Sequence, residues 1–166
     1  LGGIVGYTSA GNLTIDKCEN HGVVANEGIL TGVLRMGGIV GSYEVASTLT
    51  VTGSINAGSV ACSGEQTAIS KTVSEDGKTT TYYHTYFLGG IVGYTSGTTN
   101  TISGCTNGVS GDATKGLVTI GTAPAGLGVA GILGFSANGV NITSCVNHGG
   151  VKQTGKGGYS KELRAH

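Results

Sequence analysis

Four segments of this chain open alike: Leu1-Gly2-Gly3-Ile4-Val5-Gly6-Tyr7, Met36-Gly37-Gly38-Ile39-Val40-Gly41-Ser42, Leu88-Gly89-Gly90-Ile91-Val92-Gly93-Tyr94 and Val129-Ala130-Gly131-Ile132-Leu133-Gly134-Phe135. A second shared block follows each of them. It runs Leu13-Thr14-Ile15-Asp16-Lys17-Cys18-Glu19-Asn20-His21-Gly22-Val23 in the first copy and Leu49-Thr50-Val51-Thr52-Gly53-Ser54-Ile55-Asn56-Ala57-Gly58-Ser59-Val60 in the second. In the third it is Thr101-Ile102-Ser103-Gly104-Cys105-Thr106-Asn107-Gly108-Val109, and in the fourth Asn141-Ile142-Thr143-Ser144-Cys145-Val146-Asn147-His148-Gly149-Gly150-Val151. The copies begin at positions 1, 36, 88 and 129, so the period varies over 35, 52 and 41 residues. From the second residue of each opening to its Cys or Ser the separation is 16, 17, 16 and 15. A fixed internal spacing inside a variable period describes one structural unit carrying loops of different length.

The shared blocks are rich in β-branched residues and Tyr and are bounded by Gly, the pattern of short strands between turns. Helical repeats need amphipathic Ala/Leu-rich segments, and only residues 159–166 hint at a helix. A propeller blade needs four antiparallel strands with Trp or Asp signatures. The remaining reading is an all-β fold: a parallel β-helix of about four coils, with core strands at 3–7, 13–18 and 23–25 and their counterparts. Coils about 4.8 Å apart place equivalent residues in ladders. Ile4, Ile39, Ile91 and Ile132 are expected to stack inside, as are Ile15, Val51, Ile102 and Ile142. Tyr7, Ser42, Tyr94 and Phe135 form a partly aromatic row, and Cys18, Ser54, Cys105 and Cys145 a row of small side chains. Asn20, Asn56, Asn107 and Asn147 mark a turn where Asn tolerates left-handed backbone and bonds amide to amide along the stack. The Gly pairs are expected to turn corners with positive φ.

Composition agrees with this architecture. The 166 residues include 33 Gly but one Pro, which excludes collagen. Zero net charge with 38% apolar residues excludes a disordered tail. Nine basic and nine acidic residues are scattered, and a pI near 7.1 offers no basic stripe for nucleic acid. No apolar run reaches the roughly 20 residues that span a bilayer. The chain opens on Leu1 without a signal-peptide pattern, so it reads as one solenoid segment, residues 1–166, cut from a longer protein.

The pattern G-G-I-V-G-Y…T-I-x-x-C-x-N-x-G-x-V resembles the GLUG motif of bacterial cell-surface and secreted proteins. The resemblance covers all four copies and leaves the loops and the C-terminal tail unmatched. It implies a right-handed parallel β-helix, a bacterial surface or extracellular location and an adhesin-like context. It carries no catalytic residues over to this chain.

Two insertions interrupt the coils. Residues 64–87 hold two β-prone arms around Glu75-Asp76-Gly77-Lys78, a hairpin signal. The aromatics Tyr82, Tyr83, Tyr86 and Phe87 fall in this insertion and are the candidate partner-binding residues, suited to sugar rings or a protein surface. Residues 112–127 form a second loop with the lone Pro124. Cys18, Cys62, Cys105 and Cys145 lack metal-site spacing and are expected to be reduced and buried, with Cys105–Cys145 the favoured pair if any bridge forms. His21 and His148 share a repeat position, but Ala57 and Gly108 intervene, which fits exposed turn residues rather than a metal site. The acids Asp16, Glu19, Glu27 and Glu44 assemble no paired-acid site, and the Gly-rich opening has no phosphate-loop Lys. No catalytic residue, metal or cofactor is assigned.

Three functions fit. The first is a non-catalytic structural or adhesive segment of a bacterial extracellular surface protein, a stalk presenting loops to a host protein or glycan. The second is a subunit that stacks end to end on further copies of itself into a filament. The third is a carbohydrate-active enzyme or accessory domain. Neighbouring repeats are partners in every case, and neither nucleic acid nor membrane insertion is expected.

Overall fold

The structure is a computed structural model that describes residues 1–29, 32–64, 68–73, 79–83, 85–121 and 127–154. Among its described residues there is no helix, and the coil strands stack as a parallel β-helix of four coils. Thr48-Leu49-Thr50-Val51-Thr52 shows why these segments are strands: Leu49 and Val51 are buried, and the threonines between them face outward.

Five parallel sheets line the solenoid. The first comprises Leu34–Gly37, Tyr86–Gly89 and Leu127–Ala130, and the second Val5–Thr8, Val40–Tyr43, Val92–Thr95 and Leu133–Ser136. The third comprises Leu13–Asp16, Thr48–Thr52, Thr99–Ser103 and Val140–Thr143. The fourth is the short Asn-bearing set Glu19–Asn20, Ile55–Asn56, Thr106–Asn107 and Val146–Asn147. The fifth is Val24–Asn26, Val60–Cys62, Val118–Ile120 and Val151–Gln153. The first sheet and the Asn strands were not separated in the sequence pattern.

The interior is divided in two. Ile39, Val40, Leu49, Val51, Ile91, Ile102 and their neighbours form one apolar lobe between the second and third sheets. Leu34, Met36, Val60, Leu88, Val118 and Ile120 form another between the first and fifth. Between the lobes the second Gly of each opening pair presses against the Asn ladder. A Cβ on Gly3, Gly38, Gly90 or Gly131 would fall well under 3.0 Å from the side chain of Asn20, Asn56, Asn107 or Asn147 respectively. The Gly pairs therefore serve close approach, and none of them has positive φ.

Left-handed backbone occurs instead just before the Cys/Ser row, at Lys17 (φ 51°), Gly53 (55°), Gly104 (61°) and Ser144 (53°). The Asn residues lie in extended strands one corner later, so their role is hydrogen bonding rather than the turn itself. In each pair of neighbouring coils an Asn side-chain N–H donates to the next Asn Oδ1 at 2.8 Å, from Asn20 through Asn56 and Asn107 to Asn147. The second N–H donates to a glycine carbonyl: Gly22 (2.9 Å), Gly58 (3.1 Å), Gly116 (2.7 Å) and Gly149 (3.0 Å).

Gly116, not Gly108, is thus the counterpart of Gly22, Gly58 and Gly149. The insertion of the third coil sits between Gly108 and Gly116, and Val109 is 41% exposed in it. Val118–Ile120, inside the expected 112–127 loop, is a core strand. The expected hairpin pairs Ala68–Val73 with Thr79–Tyr83 antiparallel, with an irregularity between Ala68 and Ser70. Its 75–78 turn, Pro124 and residues 159–166 lie outside the described residues.

The Ile ladder keeps its order: Ile4 N–H donates to Ile39 O, Ile39 to Ile91 O and Ile91 to Ile132 O, at 3.0–3.1 Å. Burial differs by coil. Ile39 and Ile91 are fully buried and Ile132 is 8% exposed, whereas Ile4 is 44% and Ile142 43% exposed. Ile4 and Ile142 lie on the two outermost coils, whose strands are sheet edges among the described residues. An Asp at Ile91 places an unpaired charge in the apolar lobe, so Ile91→Asp should abolish the cooperative urea transition. Ile4→Asp should keep it, with a loss of about 1 kcal/mol or less.

Candidate functional site

The Gly-Gly bend that reaches the Asn ladder also reverses the wall locally, so the outer faces of the first and second sheets turn toward one another across a cleft. In this cleft the second-sheet row Tyr7, Ser42, Tyr94 and Phe135, in register as the repeat implied, meets the first-sheet row Arg35, Phe87 and Gly128. Phe87 stacks on Phe135 with ring centroids 4.6 Å apart, and lies 5.5 Å from Tyr94. Tyr94 and Phe135 have ring centroids 5.8 Å apart and nearly parallel planes, at 10°. Gly128 leaves room for this stack, since a Cβ there would lie 3.1 Å from the Phe87 ring.

One coil below, the aromatic row is interrupted by Ser42 and the space is polar. The Arg35 guanidinium lies over the Tyr94 ring, 4.0 Å from its centroid, a cation–π geometry. It also forms an ion pair with Glu44, whose carboxylate accepts a bond from Ser42 Oγ at 2.8 Å. Arg35 Nε is buried and has no hydrogen-bond partner among the described residues. Leu1, Tyr7, Val33, Arg35, Ser42 and Glu44 line an open dent of about 190 Å³ here. Tyr7 is 61% exposed at its mouth. Aromatic faces beside a charge pair and a hydroxyl offer the surface chemistry of partner recognition.

Of the aromatics singled out in the sequence, Tyr86 is fully buried in the second lobe and cannot meet a partner. It belongs to the coil strand that pairs with Leu34–Gly37 and Leu127–Ala130, where the inward alternation claims it. Phe87, the next residue, points the other way and joins the cleft. Tyr82 and Tyr83 lie on the second hairpin strand, away from this cluster in sequence pairing. The sequence reading missed that Arg35, Glu44, Tyr94 and Phe87 converge. Its aromatic row was the available signal, but the inward bend that brings two outer faces together left no periodic trace.

Several of the remaining polar groups are locally engaged. His21 Nε2 is 2.9 Å from Glu19 Oε2 on the surface, and Asp16 accepts a bond from the Thr52 hydroxyl at 2.6 Å. Asp112, held by the Thr114 hydroxyl and backbone N–H, has its carboxyl below the usual range. Among the described residues no three His, Cys, Asp or Glu side chains gather as a metal site. The four cysteines are free. Cys105 Sγ donates to the carbonyls of Val51 (3.5 Å) and Ser103 (3.4 Å), and Cys145 Sγ to those of Ile102 and Thr143 at 3.5 Å. Ser54 in the same row keeps this pattern, donating to Thr52 O at 3.1 Å.

Compared with protein-family models, with curated proteins and with solved structures, the chain matches none.

Burial pushes the Cys105 thiol up from 9.0 to about 11. A raised pKa means the folded state holds the proton more tightly, so this contribution is intact below about pH 9 and is lost between about pH 9 and 11. Stability measured by urea denaturation should fall across that window. Cys105→Ser, which copies Ser54 of the coil below, should lessen the fall.

Proposed function

We propose that this chain is a non-catalytic structural and adhesive repeat segment of a bacterial extracellular surface protein, holding a fixed shape and displaying the aromatic–Arg cleft to a host protein or glycan. The observation that carries this reading is the uninterrupted ladder architecture: interior side chains in the two middle coils are consumed by packing on their neighbours. Stability then accumulates coil by coil. The resemblance of the repeat to the GLUG motif supports the bacterial surface setting. Its carboxylates favour scaffolding over hydrolysis: Glu44, Asp16 and Glu19 are each tied to a neighbouring cation, hydroxyl or His.

A second reading, end-to-end stacking into a filament, draws on the open ends of the Asn ladder. Among the described residues the Asn147 amide donates only to the Gly149 carbonyl, so its ladder N–H meets no further Asn, and Asn20 Oδ1 accepts only from the Gly22 N–H. Leu1, Ile4, Tyr7, Phe135, Ile142 and Val146 are 41% or more exposed on the outermost coils. One row argues for ranking it second. Gly2, Gly37 and Gly89 each leave too little room for a Cβ beside the next coil's backbone N–H, yet the row ends on Ala130. A copy seated on the fourth coil in the same register meets that methyl.

The test pairs a panel of host extracellular proteins and glycans with wild-type chain and a Tyr7→Ala/Arg35→Ala variant. The adhesive reading expects saturable binding weakened at least about tenfold by the two changes. Release of reducing sugar from the glycans would replace it with an enzyme. Concentration-dependent sedimentation, enhanced by Ala130→Gly, would put the filament first.

A further inference from the structure

We propose that Cys105 and Cys145 are a thiol pair that an external disulfide oxidant joins covalently, fastening the fourth coil to the third. The four cysteines allow six pairings, and the register admits one. Cys62 lies in the other lobe, in a row with Asn26, Ile120 and Gln153. Cys18 has Ser54 as its neighbour on the next coil, with Ser54 Oγ accepting from the Cys18 N–H at 3.2 Å. Cys18 and Cys105 are therefore two coil spacings apart, about 9.6 Å, beyond the roughly 7 Å Cα limit for a bridge. Cys105 and Cys145 are one spacing apart, about 4.8 Å, inside the roughly 4.4–6.8 Å window.

Hydrogen bonds on both sides hold that pair in step. Val146 N–H donates to Cys105 O at 2.9 Å, and Gly104 N–H donates to Thr143 O at 3.0 Å. The two thiols reach toward consecutive carbonyls of one strand, Ile102 for Cys145 and Ser103 for Cys105. These S–H bonds are weak, so giving them up costs little.

The half-buried residue, Cys145, is the entry point, and the fully buried Cys105 is the resolving thiol. Cys145 loses its proton and its sulfur attacks one sulfur of the oxidant, a low-molecular-weight disulfide. The oxidant's S–S bond breaks and one thiol leaves. Deprotonated Cys105 then attacks the Cys145 sulfur of the mixed disulfide and expels the second thiol. Two cysteine thiols are oxidised to one disulfide, and the oxidant is reduced to two thiols. The consequence is local. Among the described residues the fourth coil packs only on the third, with Ile142 43% and Val146 44% exposed, and it is the coil a cross-link to the third would steady.

The experiment treats the folded chain with oxidised glutathione at pH 8, then measures thiol titre, intact mass and peptide linkage. The expected result is a fall from four free thiols to two, a mass lower by two hydrogens, and a single peptide pair joining positions 105 and 145. The melting midpoint should rise by about 5–10 °C and return on adding dithiothreitol. Cys145→Ser should remove the mass change, and Cys18→Ser and Cys62→Ser should keep it. Four thiols persisting in folded protein would overturn the pair, as would a link mapped to other cysteines or between two chains. The mapping on the unmodified chain decides the matter even where a variant fails to fold.

Discussion

Everything in this solenoid hangs on the contact between a Gly bend and an Asn side chain on the opposite wall. The amides of Asn20, Asn56 and Asn107 each face three demands: one N–H bonds the next coil, the other bonds its own turn, and the flat face packs against a glycine. A side chain larger than hydrogen at the bend excludes the amide, and an apolar residue at the Asn position leaves two buried amides unpaired. Losing such partners costs about 1–3 kcal/mol each, whereas a made bond contributes only about 1 kcal/mol net. The asymmetry makes the row intolerant: it specifies the fold more strongly than it stabilises it.

That contact explains the rest of the cross-section. It pinches the interior into two lobes, so neither has to fill a wide cavity with aliphatic side chains. It also forces the wall to bend inward, and the two outer faces beside the bend become a cleft. Phe87, Tyr94 and Phe135 fill one end of it, and Arg35 with Glu44 and Ser42 the other. The surface best suited to a partner is thus a by-product of the interaction that holds the coil closed.

Much of this was legible in the repeat, because in-register parallel pairing maps equal positions onto equal places. Ile15 over Val51 over Ile102 over Ile142 follows from alignment alone. What stayed hidden depends on position in the stack or on the third dimension. Ile4 and Ile91 are identical in the motif but differ in burial: Ile4 on the first coil is 44% exposed, and Ile91 between two coils is fully buried. Tyr86 and Phe87 look alike in a run of aromatics, yet strand alternation buries one and shows the other. In the third coil Gly108-Val109 imitates Gly22-Val23 in sequence, while the hydrogen-bonded glycine is Gly116, eight residues further. The Gly pairs look like turning residues in the sequence, but their work is making room, a distinction of φ that composition cannot carry.

The Gly–Asn contact is isolated best at Gly131, where the three atoms nearest a new Cβ all belong to Asn147. The decisive measurement is a double-mutant cycle by urea denaturation with Gly131→Ala, Asn147→Gly and the pair. If the contact organises the coil, Gly131→Ala destabilises the chain and Asn147→Gly relieves that loss, with a coupling of about 1 kcal/mol or more. Additivity within about 0.3–0.5 kcal/mol would contradict it.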